Sequence, residues 1–338
     1  MTRVGINGFG RIGRAFFRAS INDPDIEVVG VNDLGDAANL AYLLKYDSVY
    51  RTLSEEVRAE NGQLIVGGKN IHFVSEKDPT KLPWGSLAVD VVVESTGIFD
   101  SYEKASAHLT AGAKHVVITA PVKDDSPNGA TVLVGVNEEK LSTCQITSNA
   151  SCTTNASSPL IAILDEKLGI EKALLNTTHA YTATQSIVDG PAKGDMRRGR
   201  AAAQNMSPSS TGAAVAVTKA YEQLVGKFDG IAVRVPVVAG SLADITFVSK
   251  RDTTAEEVNS ILEAAAGEER WQGIFSTTRE PVVSSDIIGT RFASIADLAM
   301  TRVVGGNLVK VLSWYDNEMG YVYTLLRHVK QAAKNTKI

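Results

Sequence analysis

The chain has 338 residues, 44% hydrophobic and 21% charged, with a formal net charge of -4. Single cores stop growing at roughly 250–300 residues, so this length favours two domains in an ordinary soluble globular protein. The weakly acidic total excludes any general call for a nucleic-acid or acidic-lipid partner. Cys144 and Cys152 match neither a zinc nor a redox spacing, and the five histidines are dispersed, so no metal is expected.

Taken in chain order, Arg3–Ile6 reads as a strand, Gly13–Ile21 as a helix and Glu27–Asn32 as a second strand. Ala37–Lys45 has helical periodicity, with Leu40, Leu43 and Leu44 on one face. Further strands are expected at Ile71–Ser75, Val89–Glu94, His115–Thr119 and Val132–Gly135, with a helix over Tyr102–Ala111. Strands alternating with helices predict a Rossmann-type, doubly wound parallel sheet of the α/β class. From Cys152 the texture changes. A helix over Cys152–Lys167 precedes longer strands at Ala173–Tyr181, Gly230–Val238, Leu242–Val248 and Leu308–Tyr315, with a polar, Gly-rich stretch at Asp189–Gly212. Thr253–Ala266 reads as a helix, with Thr254 as a capping candidate and Glu257 three residues on. This half predicts an α+β catalytic domain with a mostly antiparallel sheet. The expected division is 1–151 with 317–338 as the nucleotide-binding domain, and 152–316 as the catalytic one. The opening residues enter a strand pattern at once, which leaves no room for a secretory leader, and apolar runs stay far short of the ~20 residues of a membrane helix. A cytoplasmic protein with no membrane partner is expected.

Gly8-Phe9-Gly10-Arg11-Ile12-Gly13 is a GxGxxG between a strand and a helix. Its glycines serve a tight turn, backbone approach to a pyrophosphate and close helix–strand packing. The helix N-terminus offers free N–H groups to the anion. A Gly-rich structural turn reads the same way locally, but Asp33 ends the second strand where a ribose-reading carboxylate belongs. Its charge would repel a 2′-phosphate, so NAD is expected over NADP.

Cys152 stands where a polar loop becomes a helix, a position that favours thiolate and offers N–H groups to an oxyanion. Taken locally, it reads equally as a small buried cysteine, as Cys144 does. His179 ends a strand and is a candidate base once paired with Cys152. By itself it is more often a hydrogen-bonded structural histidine.

GINGFGRIGR, SNASCTTN, HAYTATQ, RRGRAAAQNMSPSSTGAA and WYDNEMGY follow one another along the chain. Together they resemble the signature blocks of the glyceraldehyde-3-phosphate dehydrogenase family, in order and spacing, over nearly the whole length. The resemblance implies an NAD-dependent phosphorylating oxidation. Cys152 attacks the aldehyde of D-glyceraldehyde 3-phosphate, and His179 takes the hydroxyl proton of the thiohemiacetal. Inorganic phosphate then cleaves the thioester to give 1,3-bisphosphoglycerate. It implies Thr182 and Arg234 for the substrate phosphate, Arg198 close to both anions, and Ser151, Thr153, Thr211 and Gly212 for the attacking phosphate. Asn317 resembles the residue that orients the nicotinamide carboxamide, and Thr96 and Thr119 line the cofactor in the ESTG and TAP segments. A homotetramer is implied as well. The chain departs from the common family pattern at Val215, at Thr184 and in Pro236–Ser241. Three other readings stand beside this one: erythrose-4-phosphate dehydrogenase, with the same chemistry on a longer aldehyde; an NAD-binding scaffold or RNA-binding protein without essential catalysis; and a hydrolytic aldehyde dehydrogenase that makes the free acid without phosphate. The compact basic run Arg197–Arg200 lacks the interleaved aromatics of a nucleic-acid patch.

Overall fold

Near-continuous apolar strands, buried on both faces, form the centre of the first sheet. Val91–Glu94 and His115–Ile118 are buried at every position, and Thr2–Asn7 at all but one. The computed structural model describes residues 1–335 and separates two units, Met1–Ala150 with the chain from Val322 on, and Ser151–Tyr321.

The nine-stranded sheet of the first unit runs Gly129–Thr131, Ile146–Ser148, His115–Ile118, Val91–Glu94, Thr2–Asn7, Ile26–Asn32, Lys69–Val74, Gln63–Val66, Val57–Glu60. It is parallel except for the last three strands, which pair antiparallel at one edge. Val4 lies between Val28 and Val91, so the first strand is central and the strand order reverses there. Ligands of open α/β sheets bind beyond the carboxyl ends of the strands at such a reversal. Gly8 is the residue that follows. The strand expected at Val132–Gly135 is not formed. Asn137 takes the Leu133 N–H at 2.8 Å and donates to the Thr131 carbonyl at 2.8 Å, closing that segment as a turn. The pairing falls instead on Gly129–Thr131 with Ile146–Ser148. The C-terminal helix, Met319–Asn335, is tied to this unit by His328, which contacts Thr147 Oγ1 at 2.8 Å and Asn149 Oδ1 at 3.0 Å.

The second unit is built around the helix Cys152–Leu168, buried along most of its surface and ended at Gly169, whose φ of +69° few other residues adopt. Its sheet runs Ser207–Ser210, Phe228–Val235, Ile170–Ala180, Ser241–Ser249, Leu308–Tyr315, Ser294–Asp297, Phe275–Thr278. Pairing is antiparallel except between Ile170–Ala180 and Phe228–Val235 and between the last two strands. Alternating burial along Ser241–Ser249 puts one face of this sheet in the core. Thr254 caps the helix Ala255–Ala266 by accepting the Glu257 N–H. Asp316–Tyr321 falls in this unit, so the chain leaves it at Val322 and not at 317. The Asp316 carboxylate gathers the N–H groups of Gly289, Glu318 and Met319, and a Cβ on Gly320 would lie 2.5 Å from the Phe292 carbonyl oxygen. Among the described residues no helix is long and apolar enough to cross a membrane.

Candidate active site

The glycine turn of the first unit is shaped by close approach. Gly8 has φ +92°, and a Cβ there would lie 2.7 Å from the backbone of Ser95 and Thr96. A Cβ on Gly13 would lie 2.2 Å from the Gly8 carbonyl oxygen, so the helix Arg11–Ser20 can start this near the strand only with glycine. Gly10 begins that helix without a side-chain cap, and nothing lies within 4 Å of where its Cβ would stand. That leaves room beside the start of the helix, as a pyrophosphate would require. The Arg11 side chain is turned to Asp47, at 2.6 Å, and lies over the Tyr50 ring. Asp33 braces the turn: Oδ2 accepts the Phe9 N–H at 2.6 Å and Oδ1 the Gly35 N–H at 2.8 Å. Each carboxylate oxygen keeps a further lone pair for a ribose hydroxyl. These residues fit a dinucleotide.

Glu94 was not among the residues expected from sequence, although it opens the ESTG segment and ends an apolar strand. It is 2% exposed. Oε2 accepts from Asn7 Nδ2 at 2.6 Å and His108 Nε2 at 2.9 Å, and Oε1 accepts the Thr96 N–H at 2.8 Å and hydroxyl at 2.5 Å. The Trp84 indole N–H donates to His108 Nδ1 at 3.1 Å, which fixes the histidine proton on Nε2. Thr119 bonds the Glu94 carbonyl through both its N–H and its hydroxyl. One buried carboxylate and its backbone thus place both threonines expected to line the cofactor.

In the second unit, Ser151 caps the helix by accepting the Thr154 N–H at 3.1 Å, which makes Cys152 the first helical residue. Cys152 Sγ lies 3.3 Å from His179 Nε2. Tyr315 holds both neighbourhoods: its buried hydroxyl bonds Thr153 Oγ1 at 2.8 Å and Thr177 Oγ1 at 2.7 Å, and its ring meets the His179 ring edge-on. Burial pushes the Cys152 thiol up, against the opposing pull of the Arg234 guanidinium and bonds from Thr153. Burial, and then Arg234, push His179 down to about 3. Burial thus works against the charged form of each group, the thiolate of Cys152 and the imidazolium of His179.

Strand register brings the basic residues to this pair. His179 is the parallel partner of Arg234, and Ser207 is its partner on the other side. Side chains at paired positions share a sheet face. Arg234 Nη1 lies 2.7 Å from His179 Nδ1, and Arg198 Nη2 donates to Ser209 Oγ at 3.2 Å. Neither guanidinium is paired with a carboxylate among the described residues. Thr182 Oγ1 lies 2.9 Å from Thr184 Oγ1. Thr211 Oγ1 accepts the Ala213 N–H, and Gly212 opens the helix Ala213–Ala220 without a side-chain cap. The hydroxyls of Ser151 and Thr153, expected to cradle a phosphate, also bond Thr154 and Tyr315, one as helix cap and one as part of a buried network. Asn317 Oδ1 accepts from Ser241 Oγ at 3.0 Å, and Ser241 Oγ accepts the Ala180 N–H at 3.1 Å. Ser241, also missed from sequence, ties Asn317 to the strand end that carries His179.

A dinucleotide turn on one unit and, on the other, a cysteine–histidine pair beside guanidiniums that lack a carboxylate partner among the described residues fit one class: a nucleotide-dependent oxidoreductase. Residues 2–102 match the glyceraldehyde 3-phosphate dehydrogenase NAD binding domain, and residues 151–317 match the C-terminal domain of the same family. The chain is 51% identical to glyceraldehyde-3-phosphate dehydrogenase of Thermotoga maritima over 95% of this chain and 96% of that one. It is 49% identical to glyceraldehyde-3-phosphate dehydrogenase 1 of Bacillus cereus over 95% of each, and 46% identical to the Clostridium pasteurianum enzyme over the whole of both. The chain belongs to the glyceraldehyde-3-phosphate dehydrogenase family.

Proposed function

We propose that this chain oxidises D-glyceraldehyde 3-phosphate to 1,3-bisphosphoglycerate, consuming NAD and inorganic phosphate. The observation that carries this reading is Cys152 Sγ at 3.3 Å from His179 Nε2 on the first turn of a buried helix. Cys152 attacks the aldehyde carbon, and the free N–H groups of the helix start stabilise the oxygen that gains charge. His179 Nε2 takes the hydroxyl proton of the resulting thiohemiacetal. NAD, when bound, accepts the hydride. The thioester left on Cys152 is cleaved by phosphate, which releases the sulfur and forms the acyl phosphate. Arg234 and Thr182 hold the substrate phosphate, Arg198 serves both anions, and Ser151, Thr153, Thr211 and Gly212 cradle the attacking one. Asn317 orients the nicotinamide carboxamide, and the glycine turn, Asp33, Thr96 and Thr119 hold the rest of the dinucleotide.

The same reading includes a homotetramer in the cytoplasm. Leu174, Val215, Val225 and Ile231 of the second unit are each more than half exposed. An exposed apolar set of this kind favours burial against other copies. Both cysteines are free thiols, as a reducing compartment would keep them.

The test is a single turnover without phosphate. Mixing protein, NAD and glyceraldehyde 3-phosphate should release one NADH per chain, and mass spectrometry should find the glyceroyl phosphate mass on the Cys152 peptide. An adduct on another residue, or none with NAD bound, sinks the proposal. Faster acylation by erythrose 4-phosphate would move the assignment to the longer aldehyde.

A further inference from the structure

The first unit carries a buried charge that the proposed reaction leaves unused. Glu94 receives four donors: the Asn7 amide and the His108 ring on Oε2, and the N–H and hydroxyl of Thr96 on Oε1. Four incoming protons fill the lone pairs of both oxygens, so the carboxyl keeps no proton of its own and stays ionised. His108 does not neutralise it. The Trp84 N–H occupies His108 Nδ1 at 3.1 Å, so the ring carries a single proton, on Nε2, and is uncharged. No lysine or arginine bonds Glu94 among the described residues. A carboxylate 2% exposed with no bonded cation is costly to keep.

Strand register places that charge. Asn7, the last residue of the central strand, pairs with Asn32 on one side and with Glu94 on the other. Doubly wound sheets bind one mononucleotide half on each side of the strand at which the order reverses. Asp33 follows Asn32 and belongs to the adenosine half, so Glu94 ends a strand on the nicotinamide half. We propose that Glu94 is a counter-charge for the nicotinamide ring, which makes the site bind the cationic oxidised cofactor in preference to the neutral reduced one. This deepens the reading of Thr96 and Thr119 as cofactor-lining residues and rests on it. NAD and NADH differ little in shape, but only NAD carries a positive ring. A fixed negative charge in a low-dielectric wall separates the two by charge alone. Glu94 acts across Thr96, which it holds by two bonds, and is in that respect a positioning residue. By linkage, a site that prefers the oxidised form lets the reduced form go more readily. For this two-electron couple, each tenfold of preference is about 30 mV in the potential of the bound cofactor.

The test is binding alone, without turnover. Calorimetry on the full chain gives dissociation constants for NAD and for NADH in the wild type, Glu94→Gln, Glu94→Asp and Thr96→Val. The wild type should bind NAD the more tightly. Glu94→Gln keeps the shape and removes the charge, so the ratio of the NADH constant to the NAD constant should fall about tenfold. Glu94→Asp keeps the charge and should keep the ratio, even where both affinities drop. A merely structural loss weakens both forms alike and leaves the ratio untouched. An unchanged ratio in Glu94→Gln, or an equal fall in Glu94→Asp, overturns the proposal. Should Glu94→Gln not fold, the wild type still decides, because NADH bound as tightly as NAD overturns it too. Thr96→Val tests the underlying reading by itself. It removes a hydroxyl and no charge, so both affinities should fall together. NAD binding unchanged in Thr96→Val would remove Thr96 from the cofactor site, whereas a loss there with no change of ratio in Glu94→Gln keeps that reading and sinks the counter-charge.

Discussion

Cys152 Sγ and His179 Nε2 lie 3.3 Å apart, close enough to share a proton. Cys152→Ser replaces the nucleophile with a hydroxyl of far higher pKa. NADH formation should be lost while calorimetry still shows NAD binding, and wild-type turnover in that variant would remove Cys152 from the chemistry. His179→Asn removes the base, and general-base contributions run to about 10²–10⁴-fold. Stopped-flow acylation should slow by that order; an unchanged rate would make His179 structural. Asp33→Gly removes a charge and two bonds that brace the turn, so KM for NAD should rise and NADP should become usable. NADP turnover that stays negligible would place the discrimination elsewhere. At this scale the sequence singles out Gly8, Asp33 and Cys152, where residue type and local motif coincide. It was silent where a role depends on distant partners. Glu94 meets Asn7 and Trp84 meets His108 only after the sheet forms, and Tyr315 joins Thr153 to Thr177 across long separations.

Elements were legible by their periodicity and lost where side chains redirect the backbone. The helices at Ala37–Lys45 and Thr253–Ala266 follow from apolar spacing and a cap, and their observed bounds lie within two residues of those expected. Val132–Gly135 has the composition of a strand, but the Asn137 side chain closes it as a turn. The hairpin Val57–Glu60 with Gln63–Val66 was passed over, although Asn61-Gly62 is a strong two-residue turn signal, and both residues take positive φ. The C-terminal helix carries a further consequence. His328 is fully buried, and burial lowers its pKa from 6.5 to about 3. The unfolded chain therefore binds a proton below pH 6.5 that the folded chain refuses until about pH 3. The stability from neutral His328 is complete above 6.5 and drains away as pH falls through that window. His328→Gln should flatten the slope of stability against pH between 6 and 4 by about 1.4 kcal/mol per pH unit, read by urea denaturation at each pH. An unchanged slope would mean that His328 is already charged in the folded protein.

For the molecule as a whole, length and texture gave two units of different architecture, and the motif order gave the family. The assembly was not readable from the residues alone, because exposed apolar side chains on a strand look like core positions in sequence. Leu174→Glu with Ile231→Glu places charges among exposed apolar residues. Sedimentation should show the wild type as a tetramer and the double variant as smaller species, and an unchanged tetramer would locate the interface elsewhere.

The measurement that bears most directly on the central claim is NADH absorbance with NAD and glyceraldehyde 3-phosphate, followed with and without inorganic phosphate. Sustained NADH formation only with phosphate, restored by arsenate when phosphate is left out, is the predicted result. Equal sustained turnover in the absence of both anions would mean that water cleaves the thioester, and would contradict the account.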